Sequence, residues 1–335
     1  MAITNYPNGI SAGGVPVLPG MNGVTAFRNV YFVDKTGGSD GNTGLGLDSN
    51  NSFKTVQKAL DTVADEDTII VMRGSYNEEL TTGLYPGRPS AFPTAGAGRG
   101  RYVNLIGATN TPWAFDNPQL YNEAGSTATL RVRSAGWRIS GFRFIGDSGS
   151  PILVTLELDQ GASTEDTAWA PGTTIDNCVF YGALADCIGI DFQGAPHDCR
   201  VLNNIFELFS TAGKAAMMSS TSPTAAANRC SIIGNQFIDC VDAIDMDPRG
   251  FFATMILNNV INDGHVNTLV TGINLTAGND NEVHGNYLSG DYTTDLGRYV
   301  AGSGDDWSGN YSMDTGAGST SVDGSGLTVK IPQSG

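Results

Sequence analysis

Along the middle of the chain an apolar residue, an Asn or Gly, usually a second Asn and then large apolar residues recur as one unit. It reads Leu202-Asn203-Asn204-Ile205-Phe206, Ile233-Gly234-Asn235-Gln236-Phe237, Leu257-Asn258-Asn259-Val260-Ile261 and, one residue longer, Val283-His284-Gly285-Asn286-Tyr287-Leu288. Looser copies stand at Ile175-Asp176-Asn177-Cys178 and Ile139-Ser140-Gly141-Phe142. Counted from the first Asn/Gly slot, at 141, 177, 203, 234, 258 and 285, the intervals are 36, 26, 31, 24 and 27 residues. Such a period marks a repeat architecture. Within each copy β-branched and aromatic residues alternate with polar ones, and no apolar face of helical period persists between copies. The apolar slots exchange Ile, Val, Phe, Leu and Tyr freely, as side chains stacked in an interior column can, whereas leucine-rich repeats need Leu at fixed positions. The pattern predicts a parallel β-solenoid. Asn204, Asn235, Asn259 and Asn286 are expected in one structural column, one per coil, at tight bends in the left-handed conformation and hydrogen-bonded between rungs.

Ahead of the repeats come a strand (Tyr31-Phe32-Val33), a Gly/Asp/Asn loop (37–44), an amphipathic helix with Phe53, Val56, Leu60 and Val63 on one face, and a β-branched strand (Thr68-Ile69-Ile70-Val71) ending at Gly74. This order of elements over residues 31–76 resembles the opening of right-handed parallel β-helix proteins of the polysaccharide-lyase type. The resemblance implies an all-β, right-handed parallel β-helix with a short N-terminal capping helix, and it fixes no activity. At about 25 residues per coil, residues 68–315 make roughly ten coils. The domain reading is an extended N-terminal arm (1–28), the parallel β-helix (29–315), interrupted by loops at 84–100, 108–127, 161–172 and 211–228, and a Gly/Ser-rich C-terminal tether with one short strand (316–335).

Composition narrows the partners. Acids outnumber bases 34 to 18, for a net charge of −16, which opposes nucleic-acid binding because that rests on phosphate neutralisation. No run of 18 apolar residues and no secretory leader are visible, so no membrane is expected. Five cysteines without a CxxC pair read as small packing residues of a chain made in a reducing cytoplasm. The arm carries Ile3, Tyr6, Ile10, Val15, Val17 and Leu18 with a single charge, Arg28, too apolar for a solvated linker, and these six are expected to make docking contacts.

For chemistry, the best local group is Asp239 to Arg249. Period-2 alternation puts Asp245 and Asp247 on one strand face with Arg249 following, so Asp242, Asp245, Asp247 and Arg249 are the fallback catalytic set and Asp245 with Asp247 the fallback Ca²⁺ site. Asp305-Asp306-Trp307, and Asp191 near His197, are weaker candidates. Lys214 is the only Lys between Lys58 and Lys330, which disfavours a lyase needing a basic proton abstractor. No cofactor is expected. The opening Met1-Ala2-Ile3-Thr4-Asn5-Tyr6-Pro7-Asn8-Gly9 with this β-helix start also resembles uncharacterised proteins of marine tailed phages. That resemblance implies a non-enzymatic virion protein assembled in the host cytoplasm. The first expectation is a capsid decoration or cement protein, a homotrimer docked through its arm on the major capsid protein or tail proteins. The alternatives are a short tail spike or fibre component, or a polysaccharide lyase or glycoside hydrolase acting on host surface glycans.

Overall fold

The computed structural model describes residues 28–83, 100–108, 117–123, 128–146, 152–157, 170–182, 186–193, 196–211, 213–219, 227–246, 250–262, 269–275, 278–289, 292–296 and 304–313, with the strand segments 11–12, 15–16, 320–322 and 328–330. The chain is a parallel β-helix of three long sheets and one short helix. The first sheet has nine strands, from Val30–Val33 to Glu282–His284; the second has eleven, from Ser75–Asn77 to Thr328–Lys330; the third has eight, from Leu80–Thr81 to Tyr292–Leu296. Within these three sheets every strand pairs in parallel with its counterpart one coil on, except Thr320–Val322 and Thr328–Lys330, which extend the second sheet as an antiparallel hairpin. The C-terminal region thus holds two strands where one is expected from the sequence. In the arm, Ser11–Ala12 pairs antiparallel with Val15–Pro16; Ile3, Tyr6, Ile10, Val17 and Leu18 lie outside the described residues.

Among the described residues the first sheet has nine strands and gains a further parallel bridge from Glu282 to Asp306, in keeping with roughly ten coils; the turns are unequal, and 36 residues separate Thr68 from its partner Asn104. Two expected loops contain strands, Gln119–Tyr121 and Met217–Met218, too short to reveal alternation in the sequence. The helix Val56–Thr62 seals the N-terminal end, burying Val56, Ala59 and Leu60. Its first turn is satisfied by Thr55 Oγ1, which accepts the Lys58 N–H at 3.3 Å, and by Glu78, whose carboxylate accepts the Val56 and Gln57 N–H groups at 3.2 and 2.9 Å. Among the described residues no helix is long and apolar enough to cross a membrane.

One core runs from Val33 to Trp307. Along it Phe144, Phe180, Phe206 and Phe237 are register partners whose rings stack with centroids 5.0, 4.7 and 4.9 Å apart, which matches the spacing of about 4.8 Å between hydrogen-bonded strands. The bend between first and second sheets explains the repeating phrase. Gly141, Asn177, Asn203, Gly234, Asn258, Gly285 and Gly309 all have φ between 53° and 81°, a region Gly and Asn tolerate best. The next residue forms the ladder. Asn204, Asn235, Asn259, Asn286 and Asn310 are fully buried, and each Oδ1 accepts the backbone N–H of the same slot one coil earlier at 2.9–3.0 Å. Each Nδ2 also donates to a strand carbonyl, as Asn235 does to Val201 O at 2.9 Å. Bend and ladder therefore fall to two adjacent residues, not to one Asn as the sequence reading had it, because a residue in left-handed geometry is turned away from the column it precedes.

A second bend, entering the first sheet, has Glu66, Tyr102, Gly136, Gly172, Asp198, Arg229, Ala253, Asp280 and Gly304 at positive φ. Its ladder is chemically mixed: Thr254 Oγ1 accepts the Cys230 N–H at 3.1 Å, Asn281 Oδ1 the Thr254 N–H at 3.0 Å and Asp305 Oδ1 the Asn281 N–H at 2.8 Å. Cysteine takes such slots too. Cys178 Sγ receives the Phe142 N–H and Cys240 Sγ the Phe209 N–H, and burial pushes both thiols up to about 12. These cysteines are weak ladder acceptors as well as packing residues.

Candidate functional site

The third sheet departs from the alternation expected of a sheet with a dry inside and a wet outside. Leu130, Val154, Ile190, Met217, Ile244 and Ile273 point inward in one register column, and all are buried. The outward column, read along the rod, is Arg131, Thr155, Asp191, Met218, Asp245 and Asn274. Within it Asp191 is 0% and Thr155 1% exposed, and the neighbouring Glu157 and Ser219 are 5% and 3% exposed. Burying polar groups on an outer face is costly unless they are satisfied, yet Thr155 Oγ1 has no hydrogen-bond partner.

Charge is arranged along this column. Arg131 closes its fork on Glu157, Nε to Oε1 at 2.6 Å and Nη2 to Oε2 at 2.8 Å, and Arg133 Nε lies 3.4 Å from the same carboxylate. The hydrogen bonds from Glu157 hold Arg131 above the usual guanidinium range. Two coils further on, Asp191 Oδ2 accepts the Gln193 amide at 2.9 Å, and after two more rungs Asp245 Oδ1 accepts the Asn274 amide at 2.9 Å. Asp191 and Asp245 share a column with Met218 between them, so their backbones are about 9–10 Å apart at about 4.8 Å per rung.

Of the residues expected from sequence, Asp245 lies on this face and Asp242 does not. Asp242 has the inward parity of Ile244; its Oδ2 accepts the Gly213 N–H at 2.7 Å, and its buried Oδ1 has no hydrogen-bond partner. The strand ends at Asp245, and Asp247 and Arg249 lie outside the described residues. Calcium takes six to eight oxygens; Asp245 Oδ1 is engaged by Asn274, and among the described residues no three acidic, His or Cys side chains converge. Trp307 is 2% exposed and belongs to the core, while Asp305 serves the second ladder. Asp191 takes Gln193 as its partner and belongs to the Asp245 column. Arg131, Arg133, Thr155 and Glu157 escaped sequence reasoning; Arg131-Val132-Arg133 has the required alternation, but its carboxylate partner lies a coil away.

No known protein family matches the sequence, and neither does any curated protein. Solved structures do. The lacto-N-biosidase of family GH136 from Eubacterium ramulus superposes with a TM-score of 0.50 at 11% identity, over 84% of this chain and 63% of the biosidase. Pectate lyase Pel9A follows at a TM-score of 0.39 and 14% identity, over 88% and 82% of the two chains. At 11% identity the likeness to the biosidase is one of fold alone, and this chain spans under two thirds of the biosidase's length.

Proposed function

We propose that this chain is a glycoside hydrolase that binds a neutral oligosaccharide along the outer face of the third sheet. The observation that carries the reading is the pair Asp191 and Asp245, in register two coils apart on a polar face held largely out of water. Inverting hydrolysis needs two carboxyl groups about 6.5–9.5 Å apart, leaving room for a water, and modest leaning of two side chains from the backbone spacing meets that requirement. Asp191 donates a proton to the glycosidic oxygen as the C1–O bond breaks; Asp245, the more exposed, takes a proton from the water that adds to C1 on the opposite face. Gln193 and Asn274 orient the carboxyl groups. A uronate lyase fits less well, because it needs a free base and a cation for the substrate carboxylate, whereas Arg131 and Arg133 both lie against Glu157. The virion setting expected from the opening residues would place this activity on a short tail spike; the capsid decoration role has its support in those opening residues alone.

The test is a panel of neutral oligosaccharides followed by NMR of the released anomer. Inverted product is expected, with Asp191→Asn and Asp245→Asn each lowering kcat by about 10²–10⁴ at an unchanged melting curve. Absence of both cleavage and binding across the panel, or full turnover in both variants, sinks the proposal.

A further inference from the structure

Four of the five cysteines occupy bend slots, and two of them occupy the same slot on consecutive coils. Cys199 follows Asp198 (φ 59°) and Cys230 follows Arg229 (φ 50°). The rungs around them are in register: Arg200 pairs with Ser231, the Ser231 N–H donates to Cys199 O at 2.8 Å, and the Asp198 N–H donates to Asn228 O at 3.0 Å. Side chains in equivalent slots of a parallel coil project in the same direction, one rung of about 4.8 Å apart, inside the Cα separation of about 4.4–6.8 Å that a disulfide spans. Both residues are 1% exposed; Cys199 Sγ donates to Ala170 O at 3.2 Å and Cys230 Sγ to Asn228 O at 3.5 Å. Cys178, Cys187 and Cys240 likewise contact main-chain carbonyls, at 3.4–3.8 Å for the first two and 3.5–3.6 Å for the third; what sets Cys199 and Cys230 apart is that they share one register slot on adjacent coils.

We propose that Cys199 and Cys230 form an oxidative modification site that closes into a disulfide between adjacent coils. With hydrogen peroxide as oxidant, one thiol breaks the O–O bond to give a sulfenic acid and water. The second thiol then displaces water from that sulfur, so two S–H bonds are lost, one S–S bond forms and two waters leave. The two-electron balance is the same when a small disulfide such as glutathione disulfide accepts the electrons and leaves as two thiols. Contact with Cys230, with burial, holds the Cys199 thiol well above its ordinary value, so little thiolate is present near neutrality and the folded chain reacts slowly. Closure is faster while the coil forms than after it has packed.

The loop so closed has a defined content. It joins residues 31 apart and encloses the strands Arg200–Leu202, Ile205–Glu207, Met217–Met218 and Ala227–Asn228, that is, the coil whose Met218 separates Asp191 from Asp245. The disulfide would fix the spacing of those two carboxylates; this last point alone rests on the proposed function.

The experiment counts thiols in denaturant after three treatments of the full chain: reductant, prolonged hydrogen peroxide on the folded protein, and refolding in a reduced/oxidised glutathione buffer, each followed by peptide mapping. Reduction leaves five thiols. Refolding in the glutathione buffer is expected to leave three, with a Cys199–Cys230 cross-linked peptide and a raised thermal midpoint, and peroxide on the folded protein to reach the same product more slowly. Cys178→Ala should fall from four thiols to two, and Cys199→Ala should keep all four. Five thiols after both oxidations, or a cross-link involving Cys178, Cys187 or Cys240, overturns the proposal. Because mapping is done on the unaltered chain, the result stands even where a variant fails to fold.

Discussion

Replacing Asn235 with Leu tests the ladder at its centre. Asn235 Oδ1 accepts the Asn204 N–H at 2.9 Å and one Asn204 amide hydrogen at 3.1 Å, and its Nδ2 donates to Val201 O at 2.9 Å and Asn259 Oδ1 at 3.0 Å. Leucine is close in volume and keeps the backbone N–H bond to Asn259 Oδ1, so packing changes little. What remains is two buried donors on Asn204 without acceptors. At about 1–3 kcal/mol for each buried group left unsatisfied, the loss is about 2–6 kcal/mol, a large share of the roughly 5–15 kcal/mol that holds a typical domain. Asn235→Cys should lose less than half of that, since Cys178 already fills the equivalent slot and its sulfur receives the Phe142 N–H. Left-handed strain does not contribute, because Gly234 makes the bend. Urea and thermal melts by circular dichroism give the total, and hydrogen exchange locates it: the Asn204 amide should lose protection first, since a solenoid is stabilised coil by coil. Adding Asn204→Leu should cost less than the sum of the single changes, because it removes the orphaned amide. A loss under about 1 kcal/mol, or an Asn204 amide as protected as that of Asn286, would refute the argument.

Gly44→Ala should destabilise by about 2–5 kcal/mol, combining a positive φ of 78° with collision against the Phe53 ring, whereas Gly213→Ala, at φ 75° with nothing within 4 Å, should cost only about 1–2 kcal/mol; denaturant midpoints of the two variants separate steric overlap from backbone strain. His197 is held below its ordinary pKa by burial and then by Arg229, so the folded state favours the neutral ring. Its contribution is complete above the unfolded value of about 6.5 and is lost as pH falls through that value toward the folded one; the thermal midpoint should drop between about pH 7 and 5, and less so in His197→Asn.

The coil was legible in the sequence where backbone geometry restricts residue type. The slots 141, 177, 203, 234, 258 and 285 carry Asn or Gly because each needs positive φ, and each has it. The second bend was silent because Glu, Tyr, Arg, Ala and Asp share it with Gly, so no composition repeats. The coil number was legible as well, because loops of unequal length stretch single turns without changing the mean period. The third-sheet face was illegible for another reason: Asp191 and Asp245 stand 54 residues apart in the chain, and only the register through Met218 brings them into line. Within the single segment 239–249, alternation found Asp245 but paired it with a residue beyond the strand's end.

The reversal at the end of the second sheet has a consequence for growth. A parallel coil offers at its last rung the same pattern of N–H and C=O groups with which it received the rung before, so an unmodified end is a template for another strand of the same direction, from the same chain or a neighbour. Thr320–Val322 runs the other way over Tyr311–Met313, and Thr328–Lys330 turns back against it as the outermost strand; an antiparallel pair spaces its hydrogen bonds unequally. The rung after Tyr311–Met313 is thus occupied by an antiparallel hairpin and not by another parallel strand. At the other end the helix Val56–Thr62 performs the corresponding task with a different element. Among the described residues the parallel stack is therefore bounded by two unlike elements, a helix before its early rungs and an antiparallel hairpin after the last parallel rung of the second sheet.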